Sequence, residues 1–327
     1  MKSEYREAMD PLMRWEIPTI YPDTPTFLAI PHVTTPEGLA GVDVAIVGTP
    51  YQGVAPVARS YNNTVMTPIA LRQYSVKYGG YLPELDLDVF DRLRVVDYGD
   101  VSVGMRAPLP EALQQVGDRV GEVLDAGVVP ILLGGSDILS SLGGALAVSA
   151  RAKGRIGSLS LDAHGDNLPE HGGERYSGAT WVARMLELPQ FAPEKHVQLG
   201  MRGPRNIQQQ VKWFREAGSR LYTMGEIRKR GIEAVTNESL HTLYEGTEDV
   251  YLTVDYDVMD LSCAPGLDEP YGLSVPELLH LMHEVGKRGV RAFGIGWIPA
   301  PEPGLFAIVI YSVLYLLAGM SLQEGRA

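Results

Sequence analysis

Apolar, β-rich runs alternate along this chain with stretches whose apolar residues recur every three or four positions. Residues 44–47 read as a strand ending at Gly48-Thr49-Pro50, and residues 93–96 as another ending at Asp97-Tyr98-Gly99-Asp100. Between Pro110 and Ala126, Leu113, Val116, Val120 and Val123 share one helical face, and Gly127 stops the helix. The alternation continues with a strand at 129–133, a helix at 139–152, a strand at 156–161 and a helix at 179–188. A strand at 197–199, a helix at 207–217, a strand at 250–254, a helix at 276–288 and a strand at 290–295 follow. Strands alternating with helices predict an α/β fold, a parallel sheet covered on both faces. Ligands of such sheets bind beyond the carboxyl ends of the strands.

The flanks of this pattern differ from it. Residues 1–40 are Pro-rich and irregular, which predicts an arm packed on the domain at 41–327 or on a neighbouring subunit. The most apolar segment, 305–318, is shorter than the ~18–20 residues that span a bilayer, and reads as a buried C-terminal helix.

Composition narrows the function classes. An apolar fraction of 45% over 327 residues is ample for a large core. The net charge of −12 disfavours a nucleic-acid partner, which calls for a basic face. The single cysteine, Cys263, allows no intrachain disulfide, and Met1-Lys2-Ser3-Glu4-Tyr5 carries no apolar signal core. A cytoplasmic protein with no membrane partner is expected.

Chemistry is concentrated at two strand ends. Leu161-Asp162-Ala163-His164-Gly165-Asp166 and Val254-Asp255-Tyr256-Asp257 place acidic or imidazole groups at alternate positions as apolar runs close. In an extended strand alternate side chains share a face, so Asp162, His164 and Asp166 would project together, and Asp255 with Asp257. One such pair is ordinarily a cap or a turn. Both together bury enough negative charge to require a cation. Carboxylate and imidazole ligands suit Mn, Fe, Ni or Zn better than Ca or Mg. Asp97 and Asp100 are expected to organise the turn after their strand, Gly134-Gly135 to allow close backbone approach, and Arg202 to form a structural ion pair.

These motifs resemble the ureohydrolase family of arginase, agmatinase and related guanidino-hydrolysing enzymes. Leu161–Asp166 resembles D-A-H-x-D, and the run from Tyr251 to Gly266 resembles D-x-D-x-x-D-P-x-x-A-P-G. The segments at 132–135, 95–101 and 199–203 have family counterparts too. The resemblance implies a three-layer α/β/α fold with a central, mainly parallel sheet, arginase-like. It implies two divalent metal ions, usually manganese and in some relatives nickel, and an attack on a guanidinium carbon that breaks a C–N bond. Trimers or hexamers are the implied oligomers.

The sequence departs from the family pattern at three places. Asp137 stands at the position of the first ligand, normally His, so the implied metal set is Asp137, Asp162, His164, Asp166, Asp255 and Asp257. Ser177 replaces a His that handles protons or substrate; His171 in the same loop is the candidate substitute, acting with Asp166. Gly296 stands where a Glu would meet the guanidinium, leaving Trp297 and Glu302 as candidate substrate contacts. Two readings follow. The chain is an accessory subunit with a degenerate site and a partial or absent metal complement, assembled with an active paralogue as in a metformin-hydrolase-like heteromer that cleaves a guanidine or biguanide. Alternatively, it is itself an active binuclear-metal hydrolase, of the agmatinase or guanidine-hydrolase type, with Asp137 as an unusual ligand.

Overall fold

The computed structural model describes residues 9–10, 19–21, 24–51, 64–103, 107–298 and 302–323. Eight parallel strands form the central sheet: β1 (Val44–Thr49), β2 (Val95–Asp100), β3 (Val129–Gly134), β4 (Ile156–Leu161), β5 (Phe191–Met201), β6 (Arg220–Thr223), β7 (Asp249–Asp255) and β8 (Ala292–Gly296). Their spatial order is β6-β5-β4-β7-β8-β3-β1-β2, and every neighbouring pair is parallel. Parallel neighbours need crossovers, and helices supply them. They are α1 (Thr67–Ser75), α2 (Leu109–Asp125), α3 (Gly143–Ser149), α4 (Trp181–Leu186), α5 (Gln208–Glu216), α6 (Met224–Arg230), α7 (Ile232–Tyr244), α8 (Val275–Arg288) and α9 (Pro303–Met320).

Strand residues alternate between two cores. Val44, Ile46, Ile131 and Leu133 face one side with residues of α1 and α6 to α9. Ala45, Val47 and Leu132 face the other with residues of α2 to α5. This is the three-layer arrangement expected from the alternating pattern, with a near-continuous apolar run wherever a strand is buried on both faces.

Several elements differ from the sequence expectation for physical reasons. The helix expected at 139–152 opens as a π-helical turn, Ile138–Leu142, and only then becomes α3. β5 begins at Phe191, earlier than expected, because its first half carries the half-exposed Pro193 and Lys195 and the exposed Glu194 and so reads as polar. Helix α1 escapes the periodicity because a fully buried Arg72 sits among its core-facing residues. Helix α7 escapes it because Thr236 and Ser239 share its buried face. The C-terminal helix is longer than the apolar run suggested: Pro303–Met320 has the length and hydropathy of a membrane span. Most of it is buried against α8 and α1 instead.

The N-terminal arm, apart from residues 9–10 and 19–21, is described from Thr24 onward. Phe27, Leu28 and Ile30 are fully buried. Leu28 N–H donates to Ser75 Oγ at 2.7 Å and Phe27 N–H to Asp97 Oδ2 at 2.8 Å, fastening this stretch to α1 and the end of β2.

Candidate metal centre

The carboxyl ends of four adjacent strands, β4, β7, β8 and β3, form the middle of the sheet edge. β3, β4 and β7 lead into the residues of one acidic cluster, and β8 leads into the Trp297 N–H that holds Asp137. The six expected ligands converge there as two trios, Asp162–His164–Asp257 and Asp137–Asp166–Asp255, with donor atoms inside each trio lying within 4.8 Å of one another. The five carboxylates are buried and His164 is partly buried.

Strand alternation does not bring them together, and here the expectation is corrected. β4 ends at Leu161, so Asp162 to Asp166 form a loop. Asp255 is the last residue of β7, and Asp257 lies on the following 3-10 turn, Tyr256–Val258. The trios therefore cross the motifs: Asp162 and Asp166 part company, as do Asp255 and Asp257. Asp166 holds a positive φ of 43°, a conformation Asp tolerates better than most residues and one that redirects its side chain.

Hydrogen bonds fix the side chains of the cluster. Asp162 Oδ1 accepts from His164 N–H at 2.6 Å, and Asp257 Oδ1 from Ala163 N–H at 3.0 Å. Asp255 Oδ1 accepts from Asp257 N–H at 2.9 Å. The indole of Trp181 donates to Asp166 Oδ2 at 3.1 Å. Gln198 donates to the carbonyl of His164 at 2.7 Å, and Asn206 to that of Ala163 at 2.9 Å, so the loop is tied down from β5 and the segment after it.

Asp137 has a distinctive seat. Its Oδ1 accepts from the backbone N–H of Trp297 at 2.8 Å. The same oxygen presses on Gly296 so closely that a Cβ there would lie 1.8 Å away. No side chain can stand at position 296 while Asp137 keeps this rotamer. The ligand-position Asp and the missing acid at 296 are thus one packing solution. Gly178 borders the other oxygen, with a hypothetical Cβ 3.7 Å from Asp137 Oδ2. Gly134 and Gly135 are forced by close approach as expected: a Cβ would meet Ile295 O at 2.7 Å in one case and Thr64 O at 2.4 Å in the other.

The electrostatics follow from burial and crowding. Burial, then neighbouring carboxylates, push Asp137, Asp162 and Asp255 well above the usual carboxylate range. Burial pushes Asp166 up to about 6 against the restraining charge of His164. Burial also opposes the charge of Asp257, but the hydrogen bond and charge of His164 hold that carboxyl below its ordinary value. Burial lowers the proton affinity of His164, yet Asp257, with Nδ1 and Oδ2 2.8 Å apart, more than compensates and raises it to about 9. Asp162 Oδ2 is buried with no hydrogen-bond partner among the described residues. A buried carboxylate oxygen left open inside an oxygen-rich, imidazole-containing donor set fits a divalent cation.

The remaining candidates fare differently. His171 lies at the base of a tight hairpin, paired through backbone N–H and C=O with Glu174 across Gly172-Gly173. No hydrogen bond or ion pair links its ring to the acidic cluster among the described residues. Ser177 is spent on a capping box with Thr180. Trp297 has a φ of 22°; its backbone reaches Asp137 while its half-buried ring packs on the larger core. Glu302 caps α9, its Oε1 accepting from Gly304 N–H at 3.0 Å.

Other residues shape the site with little signal in the sequence. Arg202, expected in an ion pair, instead donates to five backbone carbonyls, those of Gly200, Asp257, Met259, Glu269 and Pro270. It clamps the loop after β7. Glu269, on that loop, lies 3.2 Å from His164 Nε2 and 2.9 Å from an Arg205 nitrogen. The only signal for it was a second pair of acids, Asp268-Glu269, soon after the Asp255–Asp257 motif. Asp97 does serve its turn, accepting from Gly99 N–H, but its main partner is the buried Arg72, at 2.8 and 3.0 Å. Asp100 pairs with the same guanidinium at 2.5 Å.

Comparisons with known proteins agree with this geometry. The chain is 27% identical to a guanidinobutyrase of Pseudomonas aeruginosa over 305 residues, covering 90% of this chain and 92% of that one. It is 29% identical over 271 residues to a proclavaminate amidinohydrolase of Streptomyces clavuligerus, covering 81% and 82%. The solved structure of formimidoylglutamase from Bacillus subtilis superposes with a TM-score of 0.81 at 23% identity, covering 94% of this chain and 95% of that one, a likeness of fold. A formiminoglutamase of Trypanosoma cruzi, described with Mn2+, superposes with a TM-score of 0.79 at 22% identity, covering 92% and 100%. The model of the arginase family matches residues 42–295, more than half of the chain, and the chain belongs to that family.

Proposed function

We propose that this chain holds a pair of divalent cations on Asp137, Asp162, His164, Asp166, Asp255 and Asp257, and that it hydrolyses a C–N bond of a guanidine- or biguanide-type compound. The observation that carries the reading is the gathering of six ligand-type groups into two trios at one strand-end edge. Two such cations, when bound, lower the pKa of bound water and make a nucleophile available near neutral pH. The donor set, five carboxylates and one imidazole, favours Mn over softer metals, with Ni the next candidate.

The chain's own residues orient and restrict. Trp181 and the Trp297 backbone hold Asp166 and Asp137 in place. Gly296 leaves no carboxylate to grip a guanidinium, which forfeits roughly 1.5–3 kcal/mol of charge-assisted hydrogen bonding. Arginine and agmatine are therefore poor substrates of this chain. A compound with apolar N-substituents loses least, because more of its binding comes from burying methyl groups than from a charge-assisted contact.

A second reading is favoured by one observation. Position 296 is filled by the Asp137 carboxylate, and no His stands at the Ser177 position. An accessory subunit paired with an active paralogue would carry such losses. The deciding experiment is metal analysis of the chain purified alone, followed by assays of urea and amine release from guanidinobutyrate, agmatine, arginine and an N-methylated biguanide. Bound metal with turnover by the isolated chain supports the first reading. Turnover only after adding a paralogous subunit supports the second. Metal-free protein with no turnover in either setting overturns both.

A further inference from the structure

We propose that Glu269 is a positioning residue for the metal centre, fixing His164 so that its Nδ1 faces the cation. The inference rests on the metal reading above and extends it to a residue outside the six ligands.

An imidazole can bind a metal through one nitrogen only while the other carries the proton, and whatever the second nitrogen touches decides which is which. His164 Nδ1 faces the cluster, 2.8 Å from Asp257 Oδ2 and 3.6 Å from Asp162 Oδ1. Its Nε2 faces away, 3.2 Å from Glu269 Oε1. An ionised carboxylate only accepts, so Nε2 carries the proton between this pair; Nδ1, whose proton Asp257 Oδ2 accepts here, is the nitrogen left to a cation that displaces that proton. Carboxylate–histidine–metal relays of this kind are the usual support for a metal-bound His.

The surroundings of Glu269 are built to hold that carboxylate still. It is 5% exposed. Arg205 donates to the same Oε1 at 2.9 Å and balances its charge. Arg202 takes the backbone carbonyls of Glu269 and Pro270 at 3.0 and 2.8 Å, which fixes the loop on which the side chain rides. Gly203, at φ 76°, brings its backbone close: a Cβ there would lie 3.2 Å from Glu269 Oε2. Asp268 supplies an internal control. It also pairs with Arg205, at 3.1 Å, but its side chain is half exposed and has no contact with His164 among the described interactions.

The test is calorimetric titration of metal-stripped full-length protein with Mn2+, comparing wild type, Glu269→Ala, Glu269→Gln and Asp268→Asn, with the melting temperature of each metal-free protein measured alongside. Loss of the supporting carboxylate should weaken Mn2+ binding by about 10–100-fold in Glu269→Ala. Glu269→Gln keeps an acceptor for Nε2–H without the charge, so it should recover part of the loss. Asp268→Asn should bind as wild type does. Wild-type binding with equal affinity in Glu269→Ala overturns this inference alone. Equal weakening in Asp268→Asn and Glu269→Ala also overturns it, since the effect would then come from Arg205. Failure of the wild type to bind Mn2+ overturns the metal reading beneath it. The Gln variant and the metal-free melting temperatures separate loss of positioning from loss of folding.

Discussion

Two groups of buried carboxylates lie at the same edge of one sheet and meet the cost of burial in different ways. At the end of β2, Asp97 and Asp100 close on the guanidinium of Arg72, and none of the three side chains is more than 6% exposed. At the ends of β3, β4 and β7, five aspartates have one imidazole between them. The first group shares a cation on the chain, one guanidinium reaching both carboxylates. The second has a surplus of negative charge, raised proton affinities and an open buried oxygen. The difference separates an acidic cluster that has a counter-charge in the sequence from one that, on the proposed reading, takes it from solution.

The comparison can be broken most sharply at Arg72. Arg72→Met leaves two buried aspartates unpaired and should destabilise the protein by about 3–5 kcal/mol. Urea unfolding would show it, and saturating Mn2+ should not restore the loss. A loss under 1 kcal/mol would mean that the pair is dispensable.

Metal removal is the matching test on the other cluster. A cation that binds only the folded chain stabilises it by about 2.7 kcal/mol at one hundred times its Kd. Chelation should lower the melting point, Mn2+ should restore it, and the metal's effect should vanish in Asp162→Asn/Asp257→Asn. A melting point indifferent to Mn2+ would remove the contrast between the two groups.

Gly296→Ala sharpens the comparison within the second cluster. The added methyl meets Asp137 Oδ1, and overpacking of this sort costs about 1–3 kcal/mol. Asp137→Gly combined with Gly296→Ala should recover most of that stability in thermal melts, whereas additive losses would show that the two positions are independent. Gly296→Glu should likewise give no arginine hydrolysis, because the glutamate displaces Asp137.

The smallest effect concerns a buried group with no counter-charge at all. His196 is fully buried beside Ser158 Oγ, and burial lowers its pKa to about 4. The folded state keeps it neutral while the unfolded chain takes up a proton below about 6.5, so stability is lost as pH falls through that value. The wild type should lose roughly 1.4 kcal/mol more than His196→Gln between pH 8 and 5.5. Parallel pH profiles for the two proteins would show that His196 titrates normally.

Legibility in the sequence followed the range of the interactions. The strands at 129–133 and 156–161 were readable because both faces are apolar, and α2 because its stripe is regular. Helix α1 was not, because its buried arginine is explicable only by aspartates on a strand that follows it. The six candidate positions came from two motifs and a departure from a third, but their grouping could not be read. Sequence neighbours were expected to project together, and the loop after β4 and the 3-10 turn after β7 deal them into opposite trios.

By itself the sequence determined the layered α/β architecture, the strand ends that carry the chemistry, and the residue types that call for a hard or borderline divalent cation. Periodicity and charge are local properties, written every two to four residues. The tertiary structure alone decided which carboxylates lie within reach of one another, that Asp137 Oδ1 occupies the space a side chain at position 296 would need, and that Glu269 reaches His164 across 105 positions of chain. These are contacts between strand ends and loops far apart in sequence. Their distances depend on how eight strands twist and stack, which no local pattern encodes.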